Sequence, residues 1–103
     1  MAVSSEYLTK LRRAVRRSQS DEVDEELTDL IEECRRDLTA LGVASSFASD
    51  EADPLILGAV RCFVRWKFGI RNEDAAANRE DYMQLRDELR KKVEYCTSAT
   101  ESL

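Results

Sequence analysis

The sequence predicts an all-α fold, a small bundle of about four helices around a central buried one. Three observations point there. Glycine (3) and proline (1) are scarce among 103 residues, which argues against a turn-rich sandwich or barrel. Apolar residues recur at helical spacing in separate stretches along the chain. Finally, Asp53-Pro54-Leu55-Ile56-Leu57-Gly58-Ala59-Val60-Arg61-Cys62-Phe63-Val64-Arg65-Trp66-Lys67-Phe68-Gly69 carries its own start and stop signals. At 43% hydrophobic, the chain has enough apolar side chain for one modest core.

The first helix is short, basic and amphipathic, about 13 residues by pattern. Ser4 or Ser5 caps it, and Ser18-Gln19-Ser20 ends it. Tyr7, Leu8, Leu11 and Val15 share one side, and Lys10, Arg12, Arg13, Arg16 and Arg17 cover the rest. The four arginines lie toward the C-terminal end, where the helix dipole favours cations. So short a helix is marginal alone, so its apolar side must pack on something.

The second helix has Asp21 as expected N-cap and Gly42 as expected stop. Val23, Leu27, Leu30, Ile31, Cys34, Leu38 and Leu41 form its apolar stripe. Eight acids precede Cys34. A pair between Glu32 and Arg36 is expected at i,i+4 spacing. The acidic second helix should lie antiparallel to the basic first one, with opposite charges across the seam.

Residues 43–53 read as a polar connector with one large apolar residue, Phe47, either a loop anchor or an exposed contact. The central helix then spans residues 54–68. Asp53 caps it, Pro54 suits its first position and Gly69 suits its end. Apolar residues surround most of its wheel and leave a thin stripe of Gly58, Arg61 and Arg65, which predicts burial. Trp66 is read as core or as an interface anchor. The segment is too short and too charged to span a membrane.

Asn72 or Asp74 opens the fourth helix. Ala75, Tyr82, Leu85, Leu89 and Val93 line its apolar face, with Asn78 and Cys96 at the ends. Pairs are expected between Asp87 and Lys91 and between Glu88 and Lys92. Residues 1–96 form one domain, and residues 97–103, without period, are expected to be a disordered tail.

Charge is unevenly placed. The net −5 divides into +4 over residues 1–20, −7 over 21–42, −3 over 43–57, +4 over 58–71 and −2 over 72–96, with Glu101 in the tail. Such blocks are either solvated faces of a monomer or surfaces that set the register of subunits. Arg61 and Arg65 therefore either pair with second-helix acids or face a neighbour. Cys34, Cys62 and Cys96 are widely spaced and odd in number, so small core residues in a reducing cytosol are expected, not a disulfide framework or zinc site. The N-terminus shows no signal-peptide run. With no histidine, phosphate loop or nucleophile elbow, neither an enzyme nor a cofactor is expected. The acidic pI of about 4.8 weighs against DNA recognition, although the first helix is basic.

The order of these pieces resembles the small helical head–tail connector (adaptor, head-completion) proteins of tailed bacteriophages and prophages. The resemblance runs through Glu26-Leu27-Thr28-Asp29-Leu30-Ile31-Glu32-Glu33-Cys34 and Leu41-Gly42-Val43. It continues in Asp53-Pro54-Leu55-Ile56, Ala59-Val60, Phe63-Val64 and Phe68-Gly69, then Tyr82 and Leu85, covering residues 5–95. It implies a structural protein with no catalytic residues. Such proteins are often monomeric in isolation and form a ring, usually of twelve subunits, on the portal after DNA packaging. The ring extends the DNA channel, lets DNA pass without specific binding, and meets other head-completion or tail proteins. The implied locations are the bacterial cytoplasm during assembly and the neck of the virion, with no membrane partner. The implied subunit or portal contacts are Arg12, Arg13, Arg16, Arg17, Arg61 and Arg65, with Thr97 and Leu103 in a tail that orders on docking. The alternative is a small regulatory or protein-interaction module, able to bind DNA through the first helix.

Overall fold

A computed structural model describes residues 3–70 and 72–96. The architecture is all-α. Four longer helices, α1 (Ser5–Val15), α2 (Asp21–Leu41), α4 (Pro54–Lys67) and α5 (Ala75–Lys91), pack with a one-turn helix, α3 (Ser45–Ala48). A 3-10 turn, Val93–Tyr95, follows α5. The proposed tail contacts Thr97 and Leu103 fall outside the described residues.

α1, α2 and α4 each start where a side-chain acceptor meets free N–H groups of the first turn. The Ser4 hydroxyl accepts from the Tyr7 N–H, and Ser20, not Asp21, caps α2 by accepting from the Val23 N–H. Both serines have extended backbones, and their short hydroxyls reach back to the first turn. Asp21 becomes the first helical residue instead, joining Glu22 and Asp24 at the positive end of the dipole. One Asp53 oxygen accepts from both Leu55 and Ile56 N–H groups, at 2.9 and 3.1 Å.

The helix ends vary more. Gly42 closes α2 with φ 120°, a conformation that penalises any side chain. α1 is shorter than its pattern, because Arg16 turns left-handed (φ 57°) and closes the helix after Val15. At α4, Gly69 does have a positive φ (81°), but its N–H donates to Glu26 of α2. The free carbonyls of Arg65 and Trp66 are capped by the Asn72 side-chain amide.

The contacts fix an alternating bundle. Arg12 meets Asp24 and Tyr7 meets Arg35, so α1 and α2 are antiparallel. Gly69 with Glu26 and Lys67 with Glu33 set α4 antiparallel to α2. Trp66, Phe63 and Gly58 meet Arg79, Tyr82 and Leu85 in turn, so α5 returns along α4. α4 is thus central, touching α1, α2 and α5. Its Ile56, Ala59, Val60, Phe63 and Val64 are buried, along with Tyr7, Leu11, Leu27, Ile31, Leu38, Tyr82 and Leu89. α4 is not buried all round: Leu55, Leu57, Cys62, Trp66 and Phe68 are half-buried, because three neighbours leave part of its circumference at the surface.

The connector after α2 is more apolar than its composition suggests. Val43 and Ala48 enter the core, and Phe47 anchors by packing its ring 4.9 Å from that of Tyr95. The Tyr95 carbonyl accepts from the Ala44 N–H at 2.7 Å, and Val43 bridges to Cys96. Val93 does not continue the α5 stripe. The helix stops at Lys91, and the turn leaves Val93 75% exposed. Of the expected helix pairs, Asp87–Lys91 forms at 2.9 Å. Glu88–Lys92 does not, since Lys92 has left the helix, and Glu32–Arg36 does not form either.

Asp53 also binds the C-terminal turn, its second oxygen accepting from the Tyr95 hydroxyl at 2.8 Å. Asp53→Ala should therefore cost about 0.5–2 kcal/mol as a lost cap, with a further loss from Tyr95. In urea melts the Asp53→Ala/Tyr95→Phe double variant should lose less than the sum of the singles, because the first change already removes the tyrosine's partner. Strict additivity would show the two contacts to be independent.

Candidate functional site

No described residues form a cluster of three or more potential metal ligands. What the surface offers is charge, and the fold decides which charges are already used.

The six arginines expected at an interface divide into two groups. Arg12 is committed within the molecule. Its guanidinium holds Asp24 at 2.7 Å and Thr9 at 2.9 Å, and this bond keeps the Asp24 carboxyl below the usual range. Arg65 donates to the Ala14 carbonyl at 3.1 Å, tying α4 to the end of α1. Arg17 stacks over Phe68 with its guanidinium carbon 5.5 Å from the ring centre. Arg13, Arg16 and Arg61 are exposed and meet no carboxylate among the described residues. Neither Arg61 nor Arg65 pairs with an acid of α2. Those acids instead take Arg12, Lys67, Arg86 and the Gly69 N–H.

Arg16, Arg17 and Arg65 do come together. With Val15, Phe68 and Ile70 they line an open groove of about 1340 Å³ at one end of the bundle. Ile70 is fully exposed at its edge. Trp66 is half-buried between core and surface, tilted against Tyr82 at 6.2 Å, with Lys67 and Arg79 over its ring.

Two polar clusters escaped the sequence reading. In the first, buried Arg35 reaches Glu51 at 3.4 Å and lies over the Tyr7 ring, while Ser4 donates to the same carboxylate. Burial alone would raise the Glu51 pKa, but the bonds from Ser4 and Arg35 outweigh it and hold the carboxyl low. Arg35 follows Ile31 by four residues, so its place on the inner face was visible; its remote partner, Glu51, was not. In the second, the Cys34 thiol approaches the Tyr82 hydroxyl at 3.8 Å, and that hydroxyl donates to Asp37 at 2.6 Å. Arg86 completes the cluster at 2.8 Å from Asp37. Burial pushes the Cys34 thiol up to about 12, so it is an inert core group. All three cysteines are free thiols.

No described helix is long and apolar enough to cross a membrane. Compared with known proteins, the chain matches no family model, no curated protein and no solved structure.

Burial acts to raise the Asp37 pKa, yet the bonds from Arg86 and Tyr82 leave it lowered. A depressed folded pKa stabilises the fold above the unfolded value, about 3.9, and that stability is lost as pH falls through the folded value. Asp37→Asn should therefore be less stable than wild type at pH 7. In urea melts taken stepwise into acid, the difference should shrink below about pH 4. A difference that stays constant with pH would show that the charge of Asp37 is not what matters.

Proposed function

We propose that this protein is a structural head–tail connector of a tailed phage or prophage, docking on the portal and extending the DNA channel toward the tail. The observation that carries the reading is the separation of unlike charge on one small rigid bundle. Exposed cations lie on α1 and α4, and an acidic row lies on the outer face of α2. A ring subunit needs two unlike faces that meet heterologously and close by rotation. A net charge of −5 suits a channel through which DNA slides without sticking. The segments that carry the resemblance also do consistent work in the fold. Asp53 caps the central helix, Gly42 stops α2, and Tyr82 packs on Phe63.

Electron microscopy of the protein mixed with a phage portal protein from the same genome should show a ring stacked on the portal. Absence of association at high protein concentration would end this reading. Retention of duplex DNA with a steep salt dependence, reduced by Arg13→Ala and Arg16→Ala, would favour a DNA-binding regulator instead.

A further inference from the structure

Folding leaves two short rows of opposite charge without partners. Lys10 and Arg13 stand exposed on the outer face of α1, and exposed Arg61 lies across the α1–α4 seam. Arg61 is close enough for its charge to act on the Tyr7 phenol, which burial otherwise drives up. On the outer face of α2, Glu25, Asp29 and Glu32 follow at four- and three-residue spacing. None of these six side chains holds a hydrogen bond or ion pair among the described residues. Within one molecule the rows do not meet. Buried Tyr7, Leu11, Leu27 and Ile31 belong to the inner faces of α1 and α2, and Arg12–Asp24 is the ion pair that joins the two helices. Within its own helix Glu25 repels Asp29 at i,i+4 spacing.

We propose that the basic edge formed by Lys10, Arg13 and Arg61 receives the acidic face formed by Glu25, Asp29 and Glu32 of a second copy of this chain. The match is three cations to three carboxylates: Glu25 to Glu32 spans about 10 Å along α2 at 1.5 Å per helical residue, and the cations stand on α1 and on its neighbour α4. Exposed Arg36 lies one turn beyond Glu32, so sliding by a turn would bring it against the other copy's cations and set the register. The contact is heterologous, so each copy keeps one free face and addition can repeat. Closure of such a row into a ring rests on the connector reading, whereas the contact itself needs only this chain. Being polar and exposed it is weak, and it gains from copies held side by side.

The test is charge reversal read by sedimentation equilibrium at low salt, up to about 1 mM protein. The variants are Lys10→Glu/Arg13→Glu/Arg61→Glu and Glu25→Lys/Asp29→Lys/Glu32→Lys, with circular dichroism to check the fold. Wild type should self-associate, and less so as salt rises. Each triple variant should associate at least about tenfold more weakly, and an equal mixture of the two should recover association. Glu88→Lys on α5 should change nothing. The proposal is overturned by a wild type that stays monomeric, by triple variants that associate like wild type, or by a mixture that does not recover. Binding of wild type to portal rings is measured separately. Its failure would end the connector reading and leave the self-contact standing, while portal binding without self-contact would do the reverse.

Discussion

The fold depends on one constraint: α4 is apolar over more of its circumference than any single neighbour can cover. Burying one Leu, Ile, Val or Phe side chain is worth about 1.5–3 kcal/mol, so α4 gathers α1, α2 and α5 around itself. Short α1, unable to hold its helix alone, is stabilised by inserting Tyr7 and Leu11 into this core. Short links turn α1 back into α2 and α4 back into α5 as antiparallel neighbours, and the longer connection through α3 sets α4 antiparallel to α2.

Apolar burial sets which faces turn inward but leaves helices free to slide. Polar groups at the edges of the core limit that freedom. Asp53 fixes the start of α4 and also holds Tyr95, so the C-terminal turn and the central helix meet at one carboxylate. Asp37 joins α2 to Tyr82 and Arg86 of α5, and Glu51 joins the α3–α4 link to Arg35 and Ser4. Each carboxylate accepts bonds from two or more residues, at least one of them on a distant segment, so a slip would leave a partly buried charge unpaired.

The same economy shapes the surface. Intramolecular pairing uses Arg12, Lys67 and Arg86 near the helix seams, where opposite charges approach as the helices pack. On α1 and α2 the outer-face charges Lys10, Arg13, Glu25, Asp29 and Glu32 hold no ion pair among the described residues, because a helix pointing its apolar stripe inward points the opposite face at solvent. The outer face of α2 and the edge of α1 and α4 therefore keep their opposite signs after folding, and those faces are what the protein presents to others.

The helical class, a central helix over residues 54–68 (it ends one residue earlier, at Lys67), the Asp53-Pro54 start, the Gly42 stop and the antiparallel pairing of α1 with α2 were legible in the sequence. Each depends on neighbours within a turn or on a periodic stripe. The earlier end of α1 at Arg16 and the use of Ser20 as cap were not, because both are choices among adjacent residues of similar propensity. α3 and the burial of Val43 and Ala48 were missed because a one-turn helix is too short to show a period. For the candidate site, the sequence determined which residues are cationic and roughly where they lie. Only the tertiary structure decided that Arg12, Arg17 and Arg65 hold contacts within the molecule while Arg13, Arg16 and Arg61 meet no carboxylate among the described residues. The physical reason is that an ion pair, a ring contact or a bond to a helix-end carbonyl joins residues 12 to 51 positions apart, and no local pattern records which distant group arrives.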